Sequence, residues 1–161
     1  MSLKDIKNID EKEKKSFWYN YAITISKGNK NYLSSLPKSE QVFVEQSRII
    51  ENLANNESCV IIGRCSNYVL KDYSNTLNIF IYATDPEFKI GRKQKFASLN
   101  RKDAIKMIEK IDKKRSEYYK SFTNQEWGNK ENYDLFIDTS KLGVENSIEL
   151  ILQYIKFYQN K

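Results

Sequence analysis

Hydrophobic and polar positions alternate along the chain in blocks that change period several times. Val42, Phe43, Ser47, Ile49, Ile50 and Leu53 recur at spacings that suit one face of a helix reaching about Asn56. Leu36-Pro37-Lys38-Ser39 reads as its entrance, with Ser39 as the candidate N-cap. Cys59-Val60-Ile61-Ile62-Gly63 is a continuous apolar run, which predicts a strand buried on both faces. Ser66 to Leu70 predicts a short helix, and Asn78 to Ala83 a second buried strand. Asp85-Pro86-Glu87 then opens a helix with a cap, a proline and an acidic first turn.

Asn100 is placed to cap a long helix through Tyr119, with Ala104, Ile105, Ile108 and Ile111 facing inward. Tyr133 to Asp138 predicts a third strand. Val144 to Tyr158 predicts a closing amphipathic helix on Ile148, Ile151, Leu152 and Ile155. Upstream, Met1 to Lys15 is charged and reads as helical or loosely attached. Phe17, Trp18, Tyr19 and Tyr21 precede the alternating stretch Ala22-Ile23-Thr24-Ile25-Ser26, and the polar stretch Lys27 to Ser35 reads as a loop. Strands alternating with helices predict an α/β sandwich around a parallel sheet.

The length of 161 residues suits one domain rather than two, and no internal repeat or linker-rich hinge divides it. No apolar run reaches the roughly 18 residues of a membrane span, and the lysine-rich start lacks a signal peptide's core. The expected setting is cytoplasmic. Two cysteines are too few for a disulfide scaffold or a structural zinc site. The absence of histidine excludes Ser-His and Cys-His nucleophile pairs and histidine metal sites. Chemistry must therefore run on Arg, Lys, Asp, Glu and backbone groups. The net charge of +6 fits an anionic partner, but the charges are scattered with mixed sign, and a solvated surface is the preferred explanation, so the charge names no partner.

Three groups of residues could carry chemistry. Arg64 follows Gly63 at the carboxyl end of a predicted strand, where ligands of parallel sheets bind, and a guanidinium matches phosphate oxygens in pairs. Its ordinary alternative is a surface arginine after a turn glycine. Asp112 and Arg115 lie three apart on the long helix, within Asp112-Lys113-Lys114-Arg115. They could grip a nucleotide or form a plain surface ion pair. Lys89, Arg92, Lys93, Lys95 and Arg101 form a basic stretch that could close over a polyphosphate or simply face water. Cys59 reads as core. Cys65 stands next to a cation that could lower its pKa, though no base accompanies it.

These pieces together resemble the cytidylate kinase-like family of P-loop nucleoside monophosphate kinases. The resemblance rests on Ser58 to Cys65, Ile79 to Ala83, Asp112 to Tyr119, Trp127-Gly128 and Asn132 to Leu135, from about residue 40 to the end. It implies a three-layer α/β sandwich with a parallel sheet, in one domain spanning residues 1–161. Acceptor-side helices would occupy about 1–40 and a lid-like basic region about 85–115. It further implies ATP, Mg²⁺ and a pyrimidine nucleoside monophosphate as partners. By the same resemblance Arg64, Asp112 and Arg101 bind substrate, while Lys89, Arg92 and Arg115 are the catalytic residues.

Nothing in the chain matches the phosphate-loop pattern G-x-x-x-x-G-K-[ST]. The nearest stretch, Ile23 to Lys30, has a single glycine and reads as part of the acceptor region. The expected architecture thus lacks the family's first strand and helix. Two readings follow. One is a phosphotransferase moving the ATP γ-phosphoryl group to a pyrimidine monophosphate. The other is an inactive nucleotide-binding or regulatory module. A basic nucleic-acid-binding module ranks third, because Tyr118, Tyr119 and Trp127 suit a core or an interface better than an exposed stacking surface. Homo-oligomer formation stays open.

Overall fold

The computed structural model describes residues 34–159. The expectations for Met1 to Lys15, the aromatic cluster, Ala22 to Ser26, the stretch Ile23 to Lys30 and most of the acceptor region lie outside the described residues. The chain falls into two compact units. The first runs up to Ser74 and adds Glu117–Trp127, whereas the second comprises Asn75–Ser116 and Gly128 onward.

The first unit is built on α1 (Lys38–Asn56) and the short α2 (Ser66–Val69). It also takes in the last turns of a long helix, α4 (Arg101–Thr123), whose earlier residues belong to the second unit. Pro37, not Ser39, occupies the N-cap of α1 and makes no side-chain cap bond. Gln41 instead reaches back to the Leu36 carbonyl at 2.7 Å. Phe43, Val44, Ser47 and Ile50 are the buried positions, while Val42 and Ile49 of the expected face are exposed. The core gathers Phe43, Cys65, Tyr68 and Tyr119, with Tyr118, Phe122 and Trp127 packed against them. Phe43 stacks on Phe122 with ring centroids 4.1 Å apart. Such pairs add about 0.5–1.5 kcal/mol beyond the area they bury.

The expected strand at Cys59–Gly63 is not formed: no strand pairing involves these residues among those described. Val60 and Ile62 are 91% and 90% exposed, and Cys59 is exposed too. An apolar run becomes a doubly buried strand only when neighbours pair with its backbone and cover both faces. Residues 34–159 offer this run neither.

The second unit holds a parallel two-stranded sheet of β1 (Ile79–Tyr82) and β2 (Leu135–Asp138). The register pairs Ile79 with Leu135 and Tyr82 with Asp138. An aspartate pins each end. Asp134 accepts from the Asn78 N–H at 2.7 Å, and Asp138 accepts from Thr84 at the other end. Contrary to the expectation of full burial, β1 is half-covered, with Ile81 and Tyr82 exposed. Phe80 packs on Tyr133 and Phe136, and a Cβ at Gly128, whose φ is +79°, would come within 3.0 Å of its ring.

The helix α3 (Pro86–Ala97) starts as expected. Asp85 caps the Glu87 N–H at 2.9 Å, and Pro86 fills a position whose N–H would be unbonded anyway. Asn100 likewise accepts from the Asp103 N–H at the start of α4, and Ala104 and Ile90 are buried. After β2 come α5 (Thr139–Leu142) and α6 (Val144–Gln159). Of the inner face expected for α6, Ile151 and Ile155 are half-buried, whereas Ile148 and Leu152 are exposed. Among the described residues no helix is long and apolar enough to cross a membrane.

Candidate functional site

Arg64 owes its position to backbone strain. Gly63, Arg64 and Cys65 are consecutive left-handed residues, with φ values of 71°, 57° and 56°. Glycine adopts this region freely, but each non-glycine residue there costs about 1–2 kcal/mol. The cost is met on both sides of Arg64. Ser66 N–H closes the turn onto the Gly63 carbonyl at 3.1 Å, and the Cys65 carbonyl accepts from Tyr68 and Val69 to open α2. Cys65 itself is 4% exposed, wedged among Phe43, Tyr68 and Tyr119. Burial pushes its thiol up to about 12, and the neighbouring Arg64 charge offsets this only in part. The expected activation by the cation is therefore outweighed by desolvation, and Cys65 is a packing residue.

The Arg64 side chain is exposed. Elsewhere in the same unit the Tyr118 hydroxyl donates to Gln46 Oε1 at 3.2 Å. No carboxylate pairs with Arg64 among the described residues. A guanidinium that no carboxylate occupies keeps its paired donors available to an external anion.

In the second unit three of the six sequence-marked cations, Lys89, Arg101 and Arg115, face carboxylates. Lys89 Nζ lies 3.7 Å from Asp112 Oδ2, and an Arg115 nitrogen lies 3.8 Å from Asp112 Oδ1. These separations are Coulombic contacts rather than hydrogen bonds, so one carboxylate is loosely shared by two cations. The trio retains one positive charge. Arg101 is held more tightly. It grips Glu87 in a two-pronged pair at 2.5 and 2.6 Å, which lowers the Glu87 pKa and raises its own. Arg92 lies over the exposed Phe96 ring, 5.7 Å from its centroid, and no described carboxylate pairs with it. Lys89, Arg92 and Lys93 share one face of α3 at i, i+3 and i+4. The structure thus brings Lys89, Asp112 and Arg115 together, ties Arg101 to Glu87, and leaves Arg92 facing solvent.

Sequence reasoning missed the polar lock at the carboxyl ends of the strands. The Asp138 carboxylate accepts from Thr84 Oγ1 and Ser140 Oγ, both at 2.5 Å, and from the Thr84 and Ser140 N–H groups at 3.2 and 3.1 Å. The Ser140 and Thr84 donors hold its carboxyl well below the usual aspartate range. The signal was present in the chain, as Asp-Thr-Ser directly after an apolar strand. The partner Thr84, 54 residues away, was not.

Comparison with known proteins fits this arrangement. The cytidylate kinase-like family model matches residues 1–141, and the chain belongs to that family. The match reaches upstream of residue 40, where the sequence reading had begun. A solved structure of an uncharacterized protein from Eubacterium ventriosum ATCC 27560 is similar, at 30% identity and a TM-score of 0.70. The likeness covers 77% of this chain and 69% of that one. No curated protein matches. Family membership implies nucleotide substrates and a kinase-like, transferase class of reaction.

Proposed function

We propose that this chain is a phosphotransferase that binds a pyrimidine nucleoside monophosphate through Arg64 and moves the γ-phosphoryl group of ATP onto it. The observation that carries this reading is Arg64 itself, an exposed guanidinium on a strained turn with no described carboxylate to neutralise it. Strain persists where the surroundings hold it, and such positions cluster at ligand sites. In this reading Arg64 takes the acceptor's phosphate and Asp112 accepts hydrogen bonds from the acceptor. Arg92, with Lys89 and Arg115, neutralises charge on the transferring phosphates. Arg101 joins them by giving up Glu87. Phosphoryl transfer asks mainly for positioning and charge neutralisation, which cations of this kind supply. Mg²⁺ bound with ATP would supply further neutralisation of phosphate charge, beside that given by Lys89, Arg92 and Arg115. The finer architecture is part of the same proposal: a three-layer sandwich in one domain, with residues 85–115 as the lid, working in the cytoplasm.

A second reading follows from the sequence pattern alone. These 161 residues contain no G-x-x-x-x-G-K-[ST] pattern, so no segment matches the usual cradle of backbone amides and a lysine for ATP's β- and γ-phosphates. A module that binds the monophosphate without turning it over meets that fact. A coupled assay of ADP formation, run beside a calorimetric titration with CMP, separates the two. Steady ADP production that requires both CMP and Mg-ATP supports transfer. CMP binding without ADP supports the module, and absence of CMP binding overturns both.

A further inference from the structure

Phe96 is 76% exposed near the end of α3, a helix whose buried position is Ile90. The core gains nothing from this ring. A single apolar side chain in water is ordinary, and Phe157 on α6 is of that kind, exposed with no cation over it among the described residues. Phe96 differs in its company. The Arg92 guanidinium lies over its ring, 5.7 Å from the centroid, which is the range of a cation–π contact. Arg92 and Lys93 precede Phe96 by four and three residues, and Lys89 precedes that pair by the same two steps. Three cations and one aromatic ring therefore form a single stripe along α3. Glu87, the acidic residue of the first turn, falls on the opposite side of the helix and is held by Arg101.

We propose that Phe96 is the stacking platform for the nucleobase of ATP. This rests on the reading that Lys89 and Arg92 meet the ATP phosphates. A nucleoside triphosphate is a flat π-system at one end and a strongly anionic chain at the other. The stripe presents the complement in the same order, with the ring at Phe96 and the cations running back to Lys89. Those seven residues of helix rise about 10 Å, which suits an extended nucleoside triphosphate. Arg92 covers one face of the ring from the Lys89 side, where the sugar and phosphates would leave the base, and the exposed remainder of the ring is left for the base itself. Phe96 has no hydrogen-bonding edge, so it reads the flat face of a base and not its identity.

The test compares two probes on the full chain at low ionic strength: Mg-ATP, and Mg-tripolyphosphate, which carries the phosphates without a base. Phe96→Leu keeps the apolar bulk and removes the flat face. It should weaken Mg-ATP binding about tenfold, leave tripolyphosphate within twofold, and leave the melting midpoint where it is. Arg92→Ala should weaken both probes. Phe96→Trp should keep the affinity for Mg-ATP, and the emission it adds to that of the wild type should be quenched by Mg-ATP and not by tripolyphosphate. Mg-GTP should behave as Mg-ATP does. If tripolyphosphate does not bind, or binds Arg92→Ala as well as the wild type, the reading of the phosphate contacts fails. If tripolyphosphate binds through Arg92 while Phe96→Leu leaves Mg-ATP unchanged, or weakens the two probes alike, the stacking platform is overturned.

Discussion

Arg64 in the first unit and Arg101 in the second are both exposed arginines, yet their electrostatic states are opposite. Arg64 sits on a left-handed backbone and has no carboxylate paired with it among the described residues. Arg101 opens a regular helix and has both of its terminal nitrogens on Glu87. A count of cations treats them alike. The difference shows that a net charge of +6 says little about which cation meets a ligand. What decides is whether the fold has already supplied a carboxylate.

The largest effect expected from this contrast concerns the strained turn. Arg64→Gly should weaken CMP binding roughly ten- to a hundredfold, the loss of a charge-assisted bond of about 1.5–3 kcal/mol. The same variant should melt at the same temperature as the wild type or higher, because glycine relieves about 1–2 kcal/mol of left-handed strain and gives back part of that through its freer unfolded chain. Calorimetric titration and a thermal melt check the pair of outcomes. A large fall in the melting midpoint would mean that Arg64 is structural.

Next in size is the second unit's own lock. Asp138→Asn should lower the melting midpoint by roughly 5 °C, because the carboxylate's four donors lose a charged acceptor. The pH dependence has a definite sign. The folded pKa of Asp138 lies below its unfolded value, so its stabilisation is complete above the unfolded value of about 3.9. It fades as pH falls through the lower folded value. Acid melts should therefore be steeper for the wild type than for Asp138→Asn.

A smaller change should come from releasing Arg101. Glu87→Gln removes the charge that occupies it, and Mg-ATP binding at low ionic strength should tighten about threefold, as befits an exposed pair. Added salt should erase the gain. The smallest effect separates the two cysteines: one equivalent of a thiol reagent should react rapidly at exposed Cys59, while Cys65, buried and raised to about 12, should wait for unfolding.

Much of the local structure was legible because its causes are local. Asp85-Pro86-Glu87 and Asn100 announce helix starts through bonds spanning two or three residues, and both caps are made. The strands at residues 79–82 and 135–138 were also readable from apolarity. The same reasoning failed at Cys59–Gly63, since apolarity cannot state which backbone will pair with a strand. The left-handed backbone at Arg64 and Cys65 was equally hidden. Gly63 signals one positive φ, and neither following residue type asks for it. The candidate site divides in the same way. Arg64, Asp112 and Arg115 were visible from motif and spacing. Glu87 on Arg101, and Gln46 behind Tyr118 at a separation of 72 residues, are tertiary facts.

If Arg64 serves a phosphate while Arg101 is committed to Glu87, CMP affinity must respond to the loss of the first and not of the second. Calorimetric titration of the wild type, Arg64→Ala and Arg101→Ala with CMP tests it most directly. Arg64→Ala should weaken binding about ten- to a hundredfold. Arg101→Ala should stay within about twofold of the wild type, as expected for an exposed cation already paired. Equal losses in the two variants, or a greater loss at Arg101, would contradict it.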